Sequence, residues 1–364
     1  MDGPRSLQEA EFSSLVNFLD DNLRSDDNWS IKDEYPLALN KKNLDNIKVI
    51  SVDGKIASHA VSKNLIVMTP IGLFNIAAIG NVTTDPSHRN KHYASKIVEN
   101  CVESSKKRNC DFSILWTDKY TIYQKLGFEL AGFEVNLQIS KPLAAPPLNL
   151  KVLNTKKVSP QALLNLYTRH TSRTLRTLDD VKSYLDIPNS NLYTAWTHDN
   201  QLVAYAVEGR GKDFGGYFHE WGGDVPHITY LLAEIQKNYR SVFNLISPAH
   251  SQNLINSLKN QGATTTTGFL GMINVNSFDG IFEKLTRYSR YFNIKDLVLK
   301  QVGDNQYIFG LGEDTYQITG KKSMTQFIFG PSDHSIINKF SPEVKEAYEK
   351  ILPMPMWVWG WDSV

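Results

Sequence analysis

An order of elements that recurs on both sides of a proline-rich segment constrains this chain most. Ser6 and Glu9 have capping-box spacing, and Phe12, Leu15, Val16, Leu19 and Leu23 then fall on one helical stripe. IKVISV and KIASHAVS flank Asp53-Gly54, the dipeptide of a two-residue hairpin turn. The apolar run from Ile71 to about Val82 is broken too often by glycine and asparagine for a long helix and ends at Asp85-Pro86, which predicts a buried strand. The loop SHRNKHY opens a helix whose Ala94, Ile97, Val98, Cys101 and Val102 share a face. DFSILW reads as the next strand, and TIYQKL as a short helix stopped by Gly127.

KPLAAPPLN, with three prolines in nine residues, cannot continue a helix or a central strand. Beyond it the order returns more faintly. LKVLN is a strand and Leu163 to Leu185 a helical region. NLYTAW and LVAYAVE form a hairpin around residues 198–201, and FGGYFHEW is a strand. A helix through Ile228, Leu231, Leu232 and Ile235, the strand SVFNLIS and the helix QNLINSLKNQGA complete the repeat of about 130 residues. From about Met272 a smaller unit follows, with the helix FDGIFEKLTRYS, three short strands, the helix EVKEAYEKI and a tryptophan-rich end. The predicted class is mixed α/β, with domains at 1–140, 141–271 and 272–364. At about 150 residues per domain, 364 residues suit two large units and a small one.

Composition narrows the function. Thirty-nine Lys and Arg against 38 Asp and Glu leave a net charge of +1, with no basic field for nucleic acid. Two cysteines, Cys101 and Cys110, are too few for a secreted disulfide framework of this size. No run approaches the ~18 apolar residues of a membrane helix, and MDGPRSLQEAEF lacks the apolar core of a leader. The expectation is a cytoplasmic protein that binds neither membrane nor nucleic acid. His88 and His92 lie four apart with no carboxylate or cysteine to complete a metal set, so no metal is expected.

The stretch V-T-T-D-P-S-H-R-N-K-H-Y-A, Val82 to Ala94, carries the most chemistry. A strand ending at a proline, a loop with Arg89 and Lys91, and a helix starting near Ala94 aim free backbone N–H groups and a positive dipole end at one point, which suits a diphosphate. An ordinary strand-to-helix turn with solvated basic residues has the same appearance.

The spacing resembles the acyl-CoA loop of the GCN5-related N-acetyltransferases (GNAT), V-x-V-x-P-x-x-R-x-x-G-x-G/A, with Val82, Thr84, Pro86, Arg89 and Ala94 at the corresponding places. About thirty residues further along, IYQKLGFELAG (122–132) resembles the family's Y-x-x-x-G-F block. The resemblance implies that the backbone of Val82, Thr83 and Thr84 pairs with the pantetheine arm of acetyl-CoA. It also implies that Asn90, Lys91, His92, Tyr93, Ala94 and Ser95 hold the diphosphate beside Arg89, and that Asp118 and Lys119 lie along the arm. Tyr123 corresponds to the tyrosine that protonates the departing thiolate. A phenol of pKa about 10 suits that task because it is protonated at neutral pH; a tyrosine on a short helix is also a common packing residue. His92 departs from the pattern, standing where the signature has its first glycine.

Two such units followed by a small α+β domain resemble the Eis-like acetyltransferases, whose third domain is similar to sterol carrier protein. The second unit, with FHEWGGDVPHITYLL in place of the loop, has no arginine at the required spacing and is expected to be degenerate. From Leu65 to Thr84 there is no Asp, Glu or His to act as a base. The resemblance implies that the terminal carboxylate takes this role, here that of Val364, carried by P-M-P-M-W-V-W-G-W-D-S-V. Asp362 or a water relay is the other source of a base, and alternating Trp357, Trp359 and Trp361 also fit a strand that merely closes the third domain. The implied function is N-acetyl transfer to a small-molecule or lysine amine, with self-association implied by the family. A non-catalytic binding protein on a decayed fold is the alternative.

Overall fold

Two sheets, each with a single parallel pair, carry most of the chain in the computed structural model, which describes residues 1–364. Before the proline-rich segment run β1 (Asp2–Ser6), β2 (Ile47–Val52), β3 (Lys55–Thr69), β4 (Gly72–Thr84), β5 (Phe112–Leu115), β6 (Glu129–Ala131) and β7 (Glu134–Ile139). After it come β8 (Lys151–Asn154), β9 (Arg173–Thr174), β10 (Asn191–Trp196), β11 (Leu202–Arg210), β12 (Asp213–Gly223), β13 (Phe243–Pro248) and β14 (Thr264–Gly268). The last strands are β15 (Gly271–Val275), β16 (Leu297–Gly303), β17 (Gln306–Leu311) and β18 (Asp314–Thr319). The proline-rich segment has no helix or strand.

The first sheet runs β1-β2-β3-β4-β5-β15-β6, with β9 on the side of β3; the second runs β14-β7-β13-β12-β11-β10-β8. The parallel pairs are β4 with β5 and β12 with β13. The helix Tyr93–Lys107 crosses between β4 and β5 and buries Ile97, Val98, Cys101 and Val102, and Val225–Asn238 makes the matching crossing in the second sheet. The third unit is the antiparallel sheet β16-β17-β18 with flanking helices. One apolar cluster of 55 buried residues contains Phe112, Phe218, Phe309 and Trp359, so all three units share a core. No helix is long and apolar enough to cross a membrane.

Hydrogen bonding corrects the domain limits at 140 and 271. β7 lies between β13 and β14 of the second sheet, with Leu137 opposite both Leu245 and Thr265. In return, β15 lies between β5 and β6 of the first sheet, with Ile273 opposite Ile114 and Glu129. The crossing occurs at Gly132, whose φ of 75° turns the chain between β6 and β7 beside the Leu270 side chain. A buried strand is apolar on both faces and carries no mark of the sheet it joins. The start differs too: Ser6 closes β1 on the sheet edge, and the capping box is formed by Gln8 and Glu11. The tail 352–364 contains no strand, which rules out the strand reading of its tryptophans.

A fragment ending at residue 140 lacks β15 and leaves β7 without either neighbour, so two apolar strand surfaces stay exposed. The fragment is expected to show no cooperative thermal transition by circular dichroism, whereas the whole chain shows one.

Candidate functional site

β4 and β5 stay paired only from Ile76/Phe112 to Ala78/Ile114. Past that point they separate, and the wedge between them is open. Here β4 also bulges. His59 faces Thr83 and Val61 faces Gly80, so β4 holds one residue more than β3, and Asn81 takes a φ of 50°. The Asn81 carbonyl accepts from the Thr83 hydroxyl at 3.0 Å and lies 3.0 Å from His59 Nδ1. His59 is fully buried, and burial brings its pKa down to about 4, so the ring is neutral and Nδ1–H is the donor.

Below the bulge the chain enters the turn singled out in the sequence. Asp85 caps its first residues by accepting from the Ser87 amide at 2.8 Å. Asn90 and His92 take φ values of 63° and 59°, and the helix begins at Tyr93. This left-handed pair keeps the backbone from closing its own hydrogen bonds, and none of the amides from Asn90 to Ser95 has a partner. Asn90 and His92 to Ser95 line a cavity of about 780 Å³. Val82, Thr83 and Thr84 form one wall; Arg89, Asn90 and His92 to Ser95 form another; Lys119 and Lys125 lie opposite. Lys91 is not on the walls. Free amides at a helix N-terminus ringed by cations make an anion site.

A second cavity, of about 510 Å³, occupies the wedge itself and shares Val82 and Lys119 with the first. Gly80 and the end of β5 line it, together with Asp118 and Tyr123. The Tyr123 hydroxyl has no hydrogen bond, its ring packs edge-on against Phe128, and burial beside Asp118 raises its pKa. Trp116 also lines this cavity, with Nε1 donating to the Leu270 carbonyl at 2.8 Å. Val364 reaches the same cavity from the far end of the sequence: a Cβ added at Gly80 would overlap its carboxyl group. Asp118, Asp213 and the Val364 carboxylate face it against the single cation of Lys119, a balance that favours a cationic guest.

Tyr35, Gly80, Asp213 and Phe214 escaped the sequence reading. Gly80-Asn81 inside an apolar strand is itself a bulge signal. Tyr35 and Asp213 carry none, because they meet only when the domains pack, with the Tyr35 hydroxyl donating to Asp213.

Buried contacts hold the tail. Trp357, Trp359 and Trp361 are buried, each worth at most about 5 kcal/mol if some 200 Å² of apolar surface leaves water. Asp362 is completely enclosed. It accepts from Arg176 at 2.7 and 3.0 Å, from Tyr184 at 2.8 Å and from Thr174, while Lys63 of β3 stands 3.9 Å away. These partners outweigh desolvation and bring its pKa down to about 2. Asp362 is therefore an anchor, held by these donors and away from the lining of the wedge cavity.

The second wedge, between β12 and β13, is narrower. The Trp221 indole bridges it by donating to the Ile246 carbonyl at 3.2 Å, and the cavity left beside it, lined by Gly223, Asp224, Val225 and His250, has a volume of about 350 Å³. At the following helix, Pro226 removes one amide donor, and the carboxylate of Asp224 sits at the N-terminus beside His227 at 3.3 Å. The helix end there is partly answered by its own side chains. His219 and Glu220 are both buried, Glu220 paired with Arg176 at 2.6 Å.

Residues 4–131 match the family model described as acetyltransferase (GNAT) domain. The matched segment is the part of the chain that holds the wedge, the bulge and the amide cradle. Whole-chain likeness extends to solved structures at low identity. A GCN5-related N-acetyltransferase from Anabaena variabilis is 13% identical, with 99% of each chain covered and a TM-score of 0.67. Eis1 from Mycobacterium abscessus is 12% identical, with 99% of each covered and a TM-score of 0.66. A conserved protein from Enterococcus faecalis, described as a probable N-acyltransferase, is 14% identical, with 97% of each covered and a TM-score of 0.68. The chain therefore carries a GNAT domain over residues 4–131 and shares the fold of these solved structures along nearly its whole length. Comparison with curated proteins finds no significant match in sequence.

Four histidines set an acid limit. Desolvation brings His59 and His250 down to about 4 and His170 and His219 down to about 3. Between pH 6.5 and about 4 the unfolded chain binds these protons and the folded chain does not, so stability falls as pH falls. Each histidine contributes roughly 1.4 kcal/mol per pH unit there. Urea midpoints are expected to drop steeply from pH 6 to 4, before carboxylate protonation begins to unlock Asp362.

Proposed function

We propose that this protein transfers an acetyl group from acetyl-CoA directly to an amine. The observation that carries the reading is the meeting of Tyr123 and the Val364 carboxylate in one wedge continuous with the amide cradle. Acetyl-CoA would lie with its diphosphate on the amides of Asn90 to Ser95 and its arm along Val82 to Thr84. Arg89 and Lys119 add charge to that grip. The acceptor enters from the side of Tyr35 and Asp213, where the carboxylates select a protonated amine.

In this reading the Val364 carboxylate takes a proton from the amine, and the nitrogen lone pair attacks the thioester carbon. The negative charge that grows on the carbonyl oxygen faces the N–H groups at the β4 bulge. Collapse breaks the C–S bond and the thiolate takes the proton of Tyr123. The nitrogen gives up its second proton, which returns to Tyr123 through solvent, and Val364 releases the proton it took, leaving the amide, free CoA and one proton in solution. The raised pKa of the phenol keeps its proton in place until the thiolate forms. No covalent enzyme intermediate is needed. The buried free thiols, Cys101 and Cys110, fit a reducing cytoplasm. We assign the third unit a sterol-carrier-like, supporting role.

A second reading has one observation in its favour. His92 puts an imidazole on the cradle wall where the family pattern has glycine, which suits a binding protein that has lost its donor. Calorimetric titration with acetyl-CoA separates the two, since the catalytic reading requires binding heat. A thiol-release screen of amines then identifies the acceptor.

Two substitutions test the roles. Tyr123→Phe is expected to lower kcat by roughly 100-fold with little change in the KM for acetyl-CoA, as loss of a general acid predicts. Gly80→Ala needs no unusual backbone angle, yet its methyl group claims the space of the Val364 carboxyl. Turnover is expected to fall by a similar factor, roughly 100-fold, while the thermal midpoint moves little; full activity in Gly80→Ala would remove Val364 from the mechanism.

A further inference from the structure

Val364 has no hydrogen bond of its own, so something else must fix where its carboxylate sits. Asp362 sets how deep the tail enters, but two more residues lie between that anchor and the end. Ser363 is the only link. Its amide bonds weakly back to the Trp359 carbonyl at 3.3 Å and its hydroxyl to Gly360 at 2.8 Å, contacts internal to the tail. The Val364 side chain packs against two apolar clusters, and the polar contact to Ser363 from outside the tail comes from one side chain, Arg210.

Arg210 ends β11 in the second domain and is 2% exposed. One terminal nitrogen donates to the carbonyls of Gly360 and Ser363, both at 2.7 Å, and lies 2.9 Å from the Ser363 hydroxyl. Nε donates to the Glu34 carbonyl at 3.2 Å, and the guanidinium plane lies 4.4 Å from the centre of the Tyr35 ring. The same rigid group therefore touches the tail one residue before the carboxylate and the aromatic wall of the acceptor side. The chain passes from β11 to β12 through Gly211, and Asp213, on the next strand, receives the Tyr35 hydroxyl.

We infer that Arg210 is a positioning residue for the transfer. It acts through Ser363 to hold the Val364 carboxylate over Gly80, and through Tyr35 to hold the facing wall. The second domain, its own wedge narrowed by Trp221, contributes to catalysis by aiming a base into the first. A planar fork suits the task, because several donors leave it in fixed directions, whereas an ammonium offers a single flexible point. This inference rests on Val364 being the base.

The test compares Arg210→Met, Arg210→Lys, Arg210→Ala and a chain lacking Val364 with the parent. The readouts are kcat, the KM for acetyl-CoA and for the amine, and the calorimetric Kd for acetyl-CoA. Misplacing a base by about 1 Å can cost about 100-fold, so Arg210→Met is expected to lose kcat on that scale, with acetyl-CoA Kd within about two-fold. Arg210→Lys is expected to fall between, and it carries the test if the methionine variant does not fold. Added methylguanidinium is expected to raise kcat in Arg210→Ala. Unchanged kcat in the arginine variants, beside an inactive chain lacking Val364, overturns the positioning role and leaves the base in place. A parallel loss of kcat and acetyl-CoA affinity in Arg210→Lys makes the residue merely structural and likewise overturns it. Full activity without Val364 removes the base itself, a failure of the proposed mechanism rather than of the clamp.

Discussion

The enclosure of Asp362 by Arg176, Tyr184, Thr174 and Lys63 is the interaction on which the geometry of this molecule depends. Taking a carboxylate and a guanidinium out of water costs several kcal/mol per ion. A pair so buried therefore adds little net stability, but removing either partner leaves the other stranded. Its value is positional. Lys63 comes from the first domain, Arg176 and Tyr184 from the second, and Asp362 from the tail, so one arrangement of all three satisfies the site. Glu220, bound to the other face of Arg176, receives the Trp361 amide at 3.4 Å and ties the tail to β12 as well.

Strand exchange imposes a second constraint of the same kind. Because β15 completes the first sheet and β7 the second, the domains cannot slide without breaking backbone ladders on both sides. The wedge between β4 and β5 consequently keeps a fixed relation to a tail that is itself fixed to the second domain. A terminal residue, ordinarily the most mobile part of a chain, is held at a defined place by structure far from it in sequence.

Elements whose signal is local were legible in the sequence. Asp53-Gly54 sets the hairpin of β2 and β3, and the helix Phe278–Ser289 follows from its apolar stripe. Val82 to Ser95 declared its chemistry because a proline, an arginine and a helix start fall within one short turn. What depends on pairing between distant segments was hidden. Glu134–Ile139 and Gly271–Val275 are apolar strands whose composition fits either sheet, and only Gly132 marks the crossing. Ser6 and Glu9 have the spacing of a cap, but Arg5 binds Glu11 through two contacts at 2.7 and 2.8 Å, and this pulls the helix start two residues along. Arg210 carries no local signal, and its role exists only because the tail returns to it.

The two wedges also bear on His92, which stands where the acyl-CoA pattern has its first glycine. A glycine there supplies a positive φ, and His92 reaches 59° without it, at a strain of about 1 kcal/mol. The backbone conformation is thus preserved although the residue that ordinarily permits it is gone, and six amides in sequence remain without partners. Unpaired donors and a left-handed residue are both unfavourable features of the free protein, and neither helps the fold. In the second domain Trp221 narrows the wedge to a cavity of about 350 Å³, Pro226 deletes a donor and Asp224 answers the helix end. Within one chain, then, the same fold has lost free donors at one site and kept them at the other, and donors kept free at a helix N-terminus suit an anion arriving from outside.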